Sequence, residues 1–188
     1  MTIGYTSAHK KWLRLLLGIL LLTVLFTNGC RSEKTGDDKA VIEINGEGIL
    51  APAKVSLEQM KGMEAGLVEA DFFSLNSYGT REYTAFKGVW LWHLLQETVQ
   101  LKTDATQVTI VAEDGYQVTY TLEEVQRKDY LDEQNPDSTY PMIIAWEQAG
   151  QAFDPDQGNP FQLVIGQREP GDVNKPYWVR HIITLEVK

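Results

Sequence analysis

Cysteine is nearly missing from this 188-residue chain, which has one, Cys30. A lone cysteine excludes an intrachain disulfide and any metal site made of several thiolates, so the fold must rest on its apolar core. Histidine is scarce too: His9, His93 and His181 include no pair at metal-ligand spacing, and no HExxH occurs. The phosphate-cradling GxGxxG and GxxxxGK[ST] are absent, as is the GxSxG of serine hydrolases. Ser74 and Ser77 accordingly have no identifiable base. Positive charge is in deficit, with 17 Lys and Arg against 26 Asp and Glu and a net charge of -9. Such a surface repels phosphates, and no basic stripe with interleaved aromatics offsets it, so the sequence predicts no nucleic-acid partner.

The charge is unevenly spread. Lys10, Lys11 and Arg14 are the only charged residues before Cys30. Removing residues 1–29 therefore moves the net charge from -9 to -12. Residues 15–26, LLLGILLLTVLF, form an apolar stretch of 12. That suits the core of a signal peptide and falls short of the about 20 residues a membrane-spanning helix needs. Thr27-Asn28-Gly29-Cys30 resembles the cleavage box of bacterial lipoproteins, with small Gly29 before the cysteine. The resemblance implies that Cys30 is lipidated and becomes the mature N-terminus on the extracytoplasmic face of a cell membrane or envelope. Residues 1–29 are then a signal peptide, 30–40 (polar RSEKTGDDKA after the cysteine) a lipidated tether, and 41–188 a single soluble domain.

Within that domain, Val41, Ile42 and Ile44 read as a strand before the turn dipeptide Asn45-Gly46. Ser56 with Gln59, and Thr121 with Glu124, are capping-box patterns that predict short helices. Residues 70–77 read as a strand, Lys87-Gly88 as a turn, and residues 89–95 as the start of a helix with Leu91, Leu94 and Leu95 on one stripe. Asp114-Gly115 predicts a hairpin between 108–112 and an alternating strand carrying Tyr116, Val118 and Tyr120. Residues 142–146, 161–165 and 178–187 read as further strands, with a polar loop at 154–160. Short helices scattered among hairpins predict an α+β fold with a mixed sheet.

Few of its residues point to chemistry. His93, between Trp92 and Leu94, and His181, after Arg180, read as structural side chains. Asp154, Asp156, Gly158 and Asn159 offer oxygens, but Pro155 interrupts them and the full calcium-loop pattern is absent. Trp90, Trp92, Trp146 and Trp178 suit either core packing or an aromatic-lined cleft.

Four segments, in order, carry a wider resemblance. FKGVWLWHLL at 86–95 is similar to a G-V-x-L-x-x-L-L stretch, EDGY at 113–116 to a D-G-Y turn, NPFQLV at 159–164 to G-P-x-R-L-V, and VRHI at 179–182 to a closing strand. Together they resemble the molybdopterin-binding domain of the sulfite oxidase-like oxidoreductases. The resemblance implies that fold over about residues 41–188. It also implies a molybdenum-ligating cysteine near residues 75–78, where this chain has Asn76 and Ser77, neither replacing a soft thiolate. Asn159 stands in place of glycine, and Gln162 where arginine is frequent. Arg81, Lys175 and Arg180 are the nearest basic candidates for holding a pterin. The expectation is a noncatalytic binding or interaction module with no catalytic residue, no metal and no cofactor. Its expected partners are the membrane, through the lipid on Cys30, and an envelope protein or small-molecule ligand. The alternative is an oxidoreductase holding molybdopterin noncovalently.

Overall fold

The computed structural model describes residues 40–188, which fall within one compact unit, Gly36–Lys188. The expected signal peptide, Cys30 and the expected tether up to residue 39 lie outside the described residues. The chain opens with β1 (Val41–Asn45), turns at Gly46, and returns as β2 (Ala53–Ser56) into helix α1 (Leu57–Lys61). Ser56 caps α1: its hydroxyl accepts from the Gln59 amide, while the Gln59 side chain accepts from Ser56 N. Next come the long strands β3 (Leu67–Leu75) and β4 (Arg81–Trp90), then helix α2 (Leu91–Thr98), whose Leu91, Leu94 and Leu95 are buried.

β5 (Gln107–Ala112) and β6 (Gln117–Thr121) pair across Asp114-Gly115, as the turn dipeptide predicts. Thr121 and Glu124 form the second capping box, starting α3 (Leu122–Gln126). The remaining strands are β7 (Tyr130–Leu131), β8 (Thr139–Tyr140), β9 (Ile143–Gln148), β10 (Gln151–Ala152), β11 (Gln162–Val164) and β12 (Ile182–Val187).

Two five-stranded sheets result. One has the order β2-β1-β12-β5-β6, with β1 and β12 parallel and the other pairs antiparallel. The other runs β10-β9-β4-β3, with β11 also on β9. β11 occupies the Ile143–Ala145 part of that edge and β10 the Glu147–Gln148 part. The chain between them must swing out, and does so through a 3-10 turn at Pro155–Gln157. A continuous core joins Ile42, Ile44 and Leu185 of one sheet to Phe72, Phe86 and Ile144 of the other. The fold is α+β, with a mixed sheet and short helices. Among the described residues no helix is long and apolar enough to cross a membrane.

Three expectations are corrected. Lys87-Gly88 is no turn but a bulge inside β4, where the register against β9 shifts. A Cβ on Gly88 would run into the Ile144 carbonyl oxygen, so this glycine permits close strand approach. The helix consequently starts at Leu91, after Val89 and Trp90 have finished the strand. The last strand begins at Ile182, because Lys175–Tyr177 form a 3-10 turn ending on Trp178.

Candidate functional site

β3 ends at Leu75, so Asn76 and Ser77 stand in the link to β4. Asn76 builds this link. Its Oδ1 accepts from Tyr78 N and Thr80 N, both at 2.9 Å, and its own N–H donates to the Thr80 carbonyl at 3.1 Å. Gly79, at φ +81°, supplies the left-handed residue of the turn. Ser77 is exposed, and Tyr78 at the tip is 95% exposed.

One buried side chain ties the root of this turn to the segment carrying Lys175. Asn174 is 0% exposed; its Oδ1 accepts from Leu75 N at 2.8 Å, while Nδ2 donates to the carbonyls of Phe73 and Ile165. Sequence reasoning missed it, since an asparagine beside a lysine and a proline reads as loop.

The loops beside this clamp are held by acids. Buried Asp132 accepts from the Tyr83 hydroxyl at 2.7 Å, and from Gln134 N. Desolvation of that hydroxyl, then the hydrogen bond and charge of Asp132, push the Tyr83 pKa up to about 12. Glu133 accepts from Gly171 N at 2.6 Å and meets Arg81 at 3.4 Å. The Gly171 amide foremost, with Gln167 and Arg81 also contributing, holds its carboxyl below the usual range against desolvation. Arg168 grips Asp172 through Nε and Nη2, both at 3.0 Å, and lies over the Tyr177 ring. Burial alone would raise the Asp172 pKa, but the Arg168 side-chain and backbone donors and its charge outweigh it and leave it depressed.

Of the three basic candidates, Arg81 is thus engaged by Glu133. The Lys175 ammonium lies 4.2 Å from the Trp178 ring centre, a cation–π contact. Desolvation lowers its pKa; the charge of Glu82 raises it, and that of Arg180 lowers it further. Lys175 thus lies within the field of the like charge on Arg180. Arg180 makes no ion pair among the described residues.

Arg180 also lines a cavity of about 250 Å³, together with Gln148, Phe153, Gln157, Asn159, Gln162 and His181. The chain that leaves the β9 edge between β10 and β11 forms one wall, and the turn before β12 the other. The four oxygen-bearing loop residues do not converge on a cation. Both Asp154 oxygens are taken by Asp156 N and Gln157 Nε2, while Asn159 Nδ2 turns inward to the carbonyls of Val41 and Ile182. Among the described residues no cluster of three His, Cys, Asp or Glu is placed to hold a metal.

His93 packs against Gly66, where any Cβ would meet the imidazole, which fits the structural reading. The tryptophans serve packing: Trp146 and Trp178 are buried, and Trp90 and Trp178 donate to the carbonyls of Val125 and Ile165. Trp92 is half-buried against the core. None lines this cavity, but Trp92 lines a second one with Leu101, Lys102, Glu123 and Gln126.

The sequence profile of the family described as "Oxidoreductase molybdopterin binding domain" matches residues 38–187. Comparison with the curated proteins finds no match. Among solved structures, the sulfane dehydrogenase SoxCD from Paracoccus pantotrophus is similar, with a TM-score of 0.56 and 18% identity. The match covers 79% of this chain and 38% of that one, and at this identity it shows the fold alone.

Proposed function

The chain belongs to the oxidoreductase molybdopterin binding domain family, and from that premise we propose that it is a noncatalytic binding module, held on the extracytoplasmic face of a membrane by a lipid on Cys30. The carrying observation is the role of Asn76. The family resemblance puts a metal thiolate at about this turn, and here the carboxamide oxygen is committed to two backbone amides. The only cysteine of the chain is residue 30. An amide oxygen fixed inside a turn supplies neither the softness nor the charge of a thiolate.

The basic side chains support the same reading. Arg81 and Arg168 are paired to Glu133 and Asp172, and Gln162 stands where the family often has arginine. Lys175 and Arg180 are left as the cations that could meet an anionic ligand. The residues present do not fit a metal-bearing pterin, and no redox step is assigned to them. Retaining a fold without its original chemistry is physically ordinary, because packing and site residues are separate sets.

Two measurements test this proposal. Mass spectrometry of membrane-extracted protein should find an acylated N-terminus at Cys30, lost in Cys30→Ala; an unmodified chain beginning at Thr2 contradicts the anchor. Isolated molybdopterin titrated into the protein should leave its Tm unchanged, whereas a cofactor enzyme would be stabilised by several kelvin, on the order of 2–4 kcal/mol at saturating ligand.

A further inference from the structure

β3 lies at the end of its sheet, and only part of that edge is closed. It pairs with β4 alone, from Leu67 to Leu75. Along an antiparallel strand the backbone groups of successive residues point to opposite sides, and two contacts fix which residues face outward. Asn76 N donates to the Thr80 carbonyl across the hairpin, so the even-numbered residues face β4. Asn174 takes Leu75 N and the Phe73 carbonyl from the other side, so the odd-numbered residues face away. Its carboxamide closes the edge near the turn as a neighbouring peptide would. At the opposite end Leu67 N donates to the Glu64 carbonyl. Between these two closures, the N–H and C=O of both Glu69 and Asp71 have no partner among the described residues.

Charge decides what kind of strand fits that gap. Glu147 on β9 stands opposite Lys87 on β4, and Lys87 stands opposite Glu69 on β3. The Lys87 ammonium lies 3.1 Å from the Glu69 carboxylate. Sign thus alternates from strand to strand, and the row ends in an acid at the open edge. In the next row Asp71 is exposed, faces uncharged Ala85 and makes no ion pair among the described residues. Opposite charges on facing strands stabilise a pair, and like charges destabilise it. A second copy of β3, paired antiparallel about Glu69, Ala70 or Asp71, would set these carboxylates against one another. Cations at both positions continue the alternation instead. On the other face of β3, Val68 and Ala70 are half-buried against the core, which favours small apolar side chains beside them.

We propose that the open edge of β3 takes up an extended basic segment of a partner protein, with Lys or Arg at alternate positions facing Glu69 and Asp71 and small aliphatic residues between them. The segment adds as a strand. Its backbone bonds to Glu69 and Asp71 hold it, and its cations and aliphatic residues set the register. The inference deepens the binding-module reading, on which it rests, by naming the chemistry of the partner.

The test uses the full chain in nonionic detergent, labelled with 15N, and three capped pentapeptides titrated to millimolar concentration. Lys-Val-Lys-Val-Lys should shift the Glu69 and Asp71 amide resonances saturably. Glu-Val-Glu-Val-Glu should leave them in place. So should the lysine peptide N-methylated at its lysine backbone nitrogens, which keeps the charge but lacks the donors that pair with β3. Asp71→Lys should weaken the lysine peptide about fivefold, read at the Glu69 amide, with distant resonances undisturbed. Unmoved resonances with the lysine peptide, an equal effect of either control peptide, or indifference to Asp71→Lys would each overturn the assignment. Concentration-dependent shifts of the same amides without peptide would put a second copy on the edge and overturn it too. Molybdenum and pterin are assayed on the same sample. Their presence would refute the binding-module reading, while the two amides report on the edge independently.

Discussion

Asn174 organises more of the candidate region than any charged residue. It replaces three backbone partners that strand pairing does not supply, for Leu75 N, Phe73 O and Ile165 O. Asn174→Ala would leave Leu75 N and Phe73 O without these partners in a buried place, while Ile165 O keeps the Trp178 Nε1 donor. It should destabilise the domain by about 3 kcal/mol in urea denaturation, whereas Ser77→Ala on the exposed turn should change stability by less than about 0.5 kcal/mol. The carboxylates give a second expectation. Glu133 and Asp172 both have depressed pKa values in the folded protein. The unfolded chain therefore binds their protons more readily, so their contribution is complete above the unfolded carboxylate range and is lost as pH falls through the folded values. Denaturation midpoints measured across the acid range should fall steeply there. Glu133→Gln should flatten part of that fall, and an unchanged profile would show that Glu133 is not coupled to folding.

At the level of elements, both capping boxes and the Asp114-Gly115 hairpin were legible because each is local: the hydrogen-bonding groups lie within three or four residues. Thr121→Ala should accordingly cost about 1 kcal/mol of stability, and thermal denaturation can read it. Gly88 misled for the opposite reason. Its requirement comes from the Ile144 carbonyl on β9, 56 positions away in sequence by the numbering, and local pattern reading sees only a glycine before a helix. Gly88→Ala should force β4 and β9 apart, destabilising the domain by about 2 kcal/mol or more, or prevent folding. The candidate site shows the same division. Asn76, Ser77, Arg81, Lys175 and Arg180 are candidates only through the ordered family-like segments, and Lys175 feels the like charge of Arg180. Asn159 and Gln162 had been noted only as departures from that pattern. Their burial beside a cavity depends on β10 and β11 sharing one edge of β9, which no local spacing records.

For the whole molecule, the family fold is present, and the proposed binding role rests on site residues that differ from the family pattern. Two five-stranded sheets, the two-stranded β7-β8 and one continuous core make up the fold that this chain shares with the sulfane dehydrogenase structure. The turn where the resemblance expects a metal ligand is closed by an asparagine, and two of the nearby arginines are paired with acids. The central claim is that the protein works without molybdenum. Its most direct test is the molybdenum and pterin content per chain, by elemental analysis and pterin fluorescence. The protein should be purified without acid or chelators from a host that makes the complete cofactor. The account predicts neither in more than trace amounts, and near-stoichiometric molybdenum with pterin would contradict it.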